Sequence, residues 1–177
     1  MADASVPSRG FTLIELLVTL SIAAILLTVA VPNFITFVQN NRLATQANDL
    51  VTMLNYARSE AVKRNQSITV CSSTTGTSCA GSTTWDTGLI VFVDTNNNGT
   101  WNAGETILQV RQAMEGSNTL RAGTQTSVTY QANGFLAVAG SNDIFRLCDA
   151  RGTASARAIT LSQQGHVSIS AGTLQCP

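Results

Sequence analysis

Between Phe11 and Val31 the chain carries a near-continuous apolar run whose single charge is Glu15. A helix of about 20 residues, rising 1.5 Å per residue, covers the hydrocarbon core of a bilayer, so this run is long enough to span one. A lone carboxylate inside such a segment is expensive and marks a candidate functional residue. Its desolvation cost is relieved when it pairs with an ammonium group. Glu15 lies four residues beyond Phe11, which places both on one face of a helix. The run is not laid out as an ordinary secretory signal. Its basic flank is Arg9 alone, and no small-residue cleavage motif closes it. A plain membrane anchor with a tolerated acid near its end would explain the charge. It would not explain why the polar stretch Met1–Gly10 ends in glycine directly before the apolar run.

The junction Gly10-Phe11-Thr12-Leu13-Ile14-Glu15 resembles the N-terminal signature of type IV pilins. That resemblance covers about the first 35 residues. It implies that residues 1–10 are a leader, removed by a prepilin peptidase that cuts between Gly10 and Phe11 and methylates the new amine. It also implies that Glu15 attracts the N-terminal amine of a neighbouring subunit during filament assembly. The protein would sit in the inner membrane as a single pass with its head in the periplasm, and then move into a pilus.

The rest of the chain is long enough for one globular domain with its own core. Net charge is zero and only 11% of residues are charged, so the surface must be rich in Ser, Thr, Asn, Gln and Gly. Acids and arginines are weakly segregated, with no dense basic patch of the kind a dedicated nucleic-acid binder carries. The four cysteines, Cys71, Cys79, Cys148 and Cys176, suit two disulfides in an oxidising compartment. Three pairings are open. Cys71–Cys79 with Cys148–Cys176 is favoured, closing a short Ser/Thr/Gly loop and tying the C-terminus to a strand near the core. Metal ligation fits poorly, because there is no Cys-x-x-Cys pair and His166 is the sole histidine.

Helical periodicity continues past the apolar run. Phe37, Val38, Ala44, Ala47, Leu50, Val51, Leu54, Ala57, Ala61 and Val62 recur three or four apart, with polar residues between. One helix is expected over 11–64, apolar all round at 11–31 and amphipathic over 32–64. Lys63 and Arg64 suit its C-terminus. Pro32 should kink or locally melt it. From residue 65 to 177 a β-rich head is expected. Strands are predicted at 67–71, 88–94, 105–112, 127–131, 143–148, 156–162 and 166–170, the last two joined by a turn at Gln163–Gly165. The expected fold is α+β, with a long N-terminal helix packed against an antiparallel, β-sandwich-like head.

Several head segments resemble the GspH/FimT family of minor pilins: N-D-L-V-T-M-L-N-Y-A-R-S-E-A-V-K-R-N from Asn48, I-T-V-C, W-D-T-G-L-I-V-F-V-D, and A-R-A-I-T-L-S-Q-Q-G-H-V. The resemblance implies a minor pilin that helps start or cap a type IV pilus, in contact with other minor and major pilins. A minor pseudopilin of type II secretion shares the same anchor.

Two further constellations bear on function. Asp94, Asn96, Asn98, Thr100 and Glu105, with Gly99 between, match the spacing of an EF-hand calcium loop. The flanking strands and the two carboxylates argue instead for a polar connecting loop, in which Asn and Asp bond nearby backbone. Some relatives are DNA receptors with arginines on the last hairpin. Here that stretch reads G-H-V-S (Gly165–Ser168), which leaves Arg146, Arg151 and Arg157 as the candidate phosphate contacts. No nucleophile–base set, zinc motif or phosphate-binding loop is present, so no catalytic activity is expected.

Overall fold

The computed structural model describes residues 10–137, 143–172 and 175–176. Contacts divide the chain into two units, Met1–Gln39 and Asn40–Pro177. One helix, α1 (Leu13–Arg64), begins in the first and ends in the second.

In the first unit α1 is apolar and exposed on every side, with a mean hydropathy of 2.5 over its candidate membrane span. Hydroxyl groups in this stretch are satisfied within the helix. Thr19, Ser21, Thr28 and Thr36 donate to the carbonyls of Leu16, Leu17, Ile25 and Pro32. That internal bonding lets polar side chains sit in an apolar medium at low cost. The helix is unbroken across Pro32, so the local melting expected there does not occur. Beside it, the Asn33 amide donates to the Val29 carbonyl at 3.0 Å.

In the second unit α1 buries Leu43, Gln46, Ala47, Leu50, Met53, Leu54, Ala57, Glu60 and Ala61, a stripe with helical spacing. Phe37, Val38 and Val62, counted in the amphipathic series from the sequence, are exposed instead. The stripe is therefore shorter than its apolar pattern. At the helix end, hydrogen bonds from Arg64 and Lys63 hold the Glu60 carboxyl below its usual range.

Eight strands follow: β1 (Ile68–Ser72), β2 (Leu89–Val93), β3 (Ile107–Arg111), β4 (Thr119–Arg121), β5 (Ser127–Tyr130), β6 (Asp143–Cys148), β7 (Arg157–Leu161) and β8 (Val167–Ala171). They form two antiparallel four-stranded sheets with orders β3-β2-β1-β5 and β4-β6-β7-β8. The core unites the helix stripe with Ile68, Val70, Val91 and Val128 of the first sheet and Leu120, Phe145, Leu147 and Ile159 of the second. Trp85, fully buried, meets Phe145 edge to face, with ring centres 4.8 Å apart, and its indole N–H donates to the Gln125 carbonyl.

β1 and β2 are buried along their whole length, because the first sheet is covered on both faces. On its outer face Cys71, Ile90 and Phe92 form a second small core with Cys79, Trp101 and Ile107. The Cys71–Cys79 disulfide folds the Ser/Thr/Gly loop over this face, and the Trp101 N–H donates to the Cys79 sulfur at 3.3 Å. The second disulfide joins Cys148 at the end of β6 to Cys176. Gly165 closes the β7–β8 turn at φ +75°. A side chain there would meet the Gly134 carbonyl oxygen at 2.5 Å, so the position needs glycine for both backbone and space.

Candidate functional site

The start of α1 is built by Phe11, Thr12, Glu15 and Leu16. Thr12 precedes the first helical residue, and its hydroxyl oxygen accepts the Glu15 backbone N–H at 3.3 Å. This is the N-terminal half of a capping box: a threonine satisfies one of the orphan donors, with a glutamate three residues later. Phe11 and Leu16 flank the cap in the positions of a hydrophobic staple. The Glu15 side chain is exposed and lies in the first turn, where the helix dipole favours an anion. Gly10, Phe11 and Glu15 are all exposed, as are Leu13, Ile14, Leu16 and Leu17. The arrangement presents one carboxylate on an uncovered apolar rod. Such a surface is suited to packing against other apolar helices, and to pairing with a cation that one of them carries.

The candidate calcium loop has its oxygens engaged elsewhere. Asp94, nearly fully buried, accepts from the Thr69 hydroxyl and from the backbone N–H of Asn98 and Gly99. Glu105 accepts from the N–H and hydroxyl of Thr95 and from the Asn102 N–H. The side-chain oxygens of Asn96 and Asn98 accept from the N–H groups of Asn98 and Thr100. The side-chain oxygens of Asp94, Asn96, Asn98 and Glu105 that a calcium ion would require instead hold the loop's own backbone. The donor set fits a self-supporting connection between β2 and β3 better than an ion.

The three candidate arginines are not brought together. Arg146 stands opposite Ala158, and Arg157 stands opposite Leu147. Directly opposed residues share a face and successive residues alternate, so Arg146 and Arg157 point to opposite sides of the sheet. Arg151 is held by the Asp149 carboxylate through two of its nitrogens and by Asn40 through a third, which offsets its charge. Arg146 instead neighbours Arg121 across β4–β6, and Arg121 is paired with Asp86.

Sequence reasoning missed a structural carboxylate. Asp143, buried at the start of β6, accepts the backbone N–H groups of Gly123, Thr124 and Gln125 and so pins the β4–β5 turn. Its partners are about 20 positions away, and no local pattern announces them. Gln46 was likewise unremarked. It is buried on α1 and binds the Glu115 carbonyl and the Asn118 amide.

A methylation-signature helix that leads into a two-sheet head defines the pilin class of proteins. Residues 7–31 match the prokaryotic N-terminal methylation motif, and residues 46–165 match the family described as type II transport protein GspH. The chain belongs to the GspH family.

The fold is that of the type IV minor pilin FimU of Pseudomonas aeruginosa. One crystal form of FimU aligns with a TM-score of 0.62 at 25% identity, over 79% of this chain and 96% of FimU. A second form gives a TM-score of 0.57 at 24% identity and shows the same fold. The pilin-like protein PilA1 of Thermus thermophilus is 38% identical over 99 residues. That match spans 55% of each chain, so only about half of PilA1's length is covered.

Proposed function

We propose that this chain is a minor pilin that helps to initiate or cap a type IV pilus. In this reading residues 1–10 are a leader, 11–64 a helical stalk and 65–177 a head. A prepilin peptidase cuts after Gly10 and methylates Phe11. The protein waits in the inner membrane with its head in the periplasm, and then enters the filament near its tip. Apolar helices of other pilins cover the rod, and Glu15 sets the axial register by pairing with a neighbour's terminal amine.

The observation that carries this reading is the exposed, capped start of α1, with Glu15 as the single charge on an otherwise apolar surface. The likeness to FimU over nearly all of that chain supports the pilus setting. The family's own description favours a second setting, a type II secretion pseudopilus assembled through the same helix. The experiment is to shear surface filaments from cells and probe them with antibody to the head. Presence in the pilus fraction supports the pilus reading. Absence there, with loss of secreted enzymes on deletion, supports the pseudopilus.

A further inference from the structure

Exposed sheet edges are normally blunted by charge, proline, bulges or covering chain. Three of the four edges here are managed in that way. β3 carries Arg111 and borders a bulge at Val91/Phe92. β4 is bridged at Arg121 by Thr84. β5 is covered by the returning chain, through the Tyr130–Leu136 bridge and the Ala137 N–H to Thr129 carbonyl bond. Among the described residues β8, V-S-I-S-A, has none of these devices. It contains no charge and no proline, and its register against β7 is continuous. Beyond β8, Cys176 is joined by a disulfide to Cys148 of β6, which lies two strands in from the free edge.

The direction of the unpaired groups follows from two hydrogen bonds. The Ser162 N–H donates to the His166 carbonyl at 2.9 Å, and the Gly172 N–H donates to the Ala156 carbonyl at 3.4 Å. An antiparallel ladder alternates bonded and non-bonded pairs between such points. Ser168 and Ser170 therefore turn their backbone groups toward β7. Val167, Ile169 and Ala171 turn theirs outward, and no partner for them exists among the described residues. Ile169 shares the inner face with fully buried Ile159, yet is itself 41% exposed.

We propose that the free edge of β8 pairs antiparallel with β8 of a second copy of this chain, about a two-fold axis at Ile169. The strand is self-complementary in that register. Val167 faces the second copy's Ala171, Ile169 faces its counterpart, and Ser168 faces the second copy's Ser170. Each outward-facing pair then exchanges both backbone bonds, so all the unpaired donors and acceptors of the edge are satisfied together. A large residue meets a small one at both ends, the two Ile169 side chains cover each other, and no like charges are opposed. The contact is isologous, as closed dimers require. It lies outside the helix-to-helix packing of the filament reading and does not depend on it.

Cross-linking of the full chain in native membranes tests this. Ser168→Cys and Ser170→Cys are made on separately tagged copies, expressed alone or together, and treated with a mild oxidant. The facing pair lies about 4.5 Å apart between Cα atoms, within disulfide reach. Identical positions lie on the diagonal, about 7–8 Å apart and beyond it. A cross-linked dimer from the mixture, and none from either variant alone, is the expected result. Adding Ile169→Pro removes one outward N–H and spares the bonds to β7, so the cross-link should be lost while the head stays folded. No cross-link in the mixture overturns the proposal. So does equal cross-linking in the single-variant populations, capture of a different protein only, or a dimer that survives Ile169→Pro.

Discussion

The Glu15 backbone N–H donates to the Thr12 hydroxyl, so the residue bearing the single charge of the apolar segment is also held by the cap that starts the helix. Backbone and side chain of Glu15 thus have separable roles. Glu15→Gln keeps the backbone bond and removes the charge. Cleavage after Gly10 should proceed normally, while the variant's share of the sheared filament fraction falls several-fold. Thr12→Ala keeps the charge and loses the cap, at a cost of about 1 kcal/mol in helix stability, and should affect incorporation much less. Immunoblots of whole cells and sheared fractions, read side by side, check both.

Asp143 receives three backbone N–H groups from the β4–β5 turn within a buried site. Hydrogen bonds to a charged group are worth more than neutral ones, and stranded donors add their desolvation cost. Asp143→Ala should destabilise the head by on the order of 3 kcal/mol. Thermal unfolding of the full chain in detergent, followed by circular dichroism, measures it.

Tyr130 is fully buried, and its hydroxyl has no hydrogen-bond partner among the described residues. Burial pushes its ionisation well above the usual tyrosine range, so the group stays neutral at any working pH. Tyr130→Phe removes an unsatisfied polar atom and keeps the ring. Stability should be unchanged or raised by up to about 1 kcal/mol, the reverse of most core substitutions. The same melting experiment reads the sign.

Calcium at millimolar concentration should leave the melting temperature unchanged, because Asp94 and Glu105 already hold loop amides. Asp94→Ala, which frees the Asn98 and Gly99 N–H groups and the Thr69 hydroxyl, should lower it whether or not calcium is present. A calcium-dependent rise in the wild-type protein would show that the loop rearranges around the ion.

Local patterns carried much of this fold into the sequence. The stripe from Leu43 to Ala61 repeats every three or four residues and is legible as one helix face. Seven of the eight strands stand out by their β-branched and apolar content within a residue or two of their bounds. β4 did not, since Thr119–Arg121 is too short to show an alternation. Which strands share a sheet was hidden as well, because strand pairing is a long-range choice. The same limit defeats a reading of the arginines. Arg146 and Arg157 are close in sequence, but their faces depend on a β6–β7 register that the connecting segment conceals. Asp143 was illegible for a related reason, its partners being remote backbone groups that carry no side-chain signal. The N-terminal cassette was legible because its chemistry is local: glycine, aromatic and acid lie within the six residues from Gly10 to Glu15.

The central claim is that this helix is made to be trimmed and then to bring one negative charge among other helices. Intact-mass and N-terminal fragment spectra of the protein isolated from cells test that claim most directly. The account predicts a chain that begins at Phe11 and carries one added methyl group on its terminal amine. A chain that retains Met1–Gly10, or an unmethylated one beginning elsewhere, would contradict it.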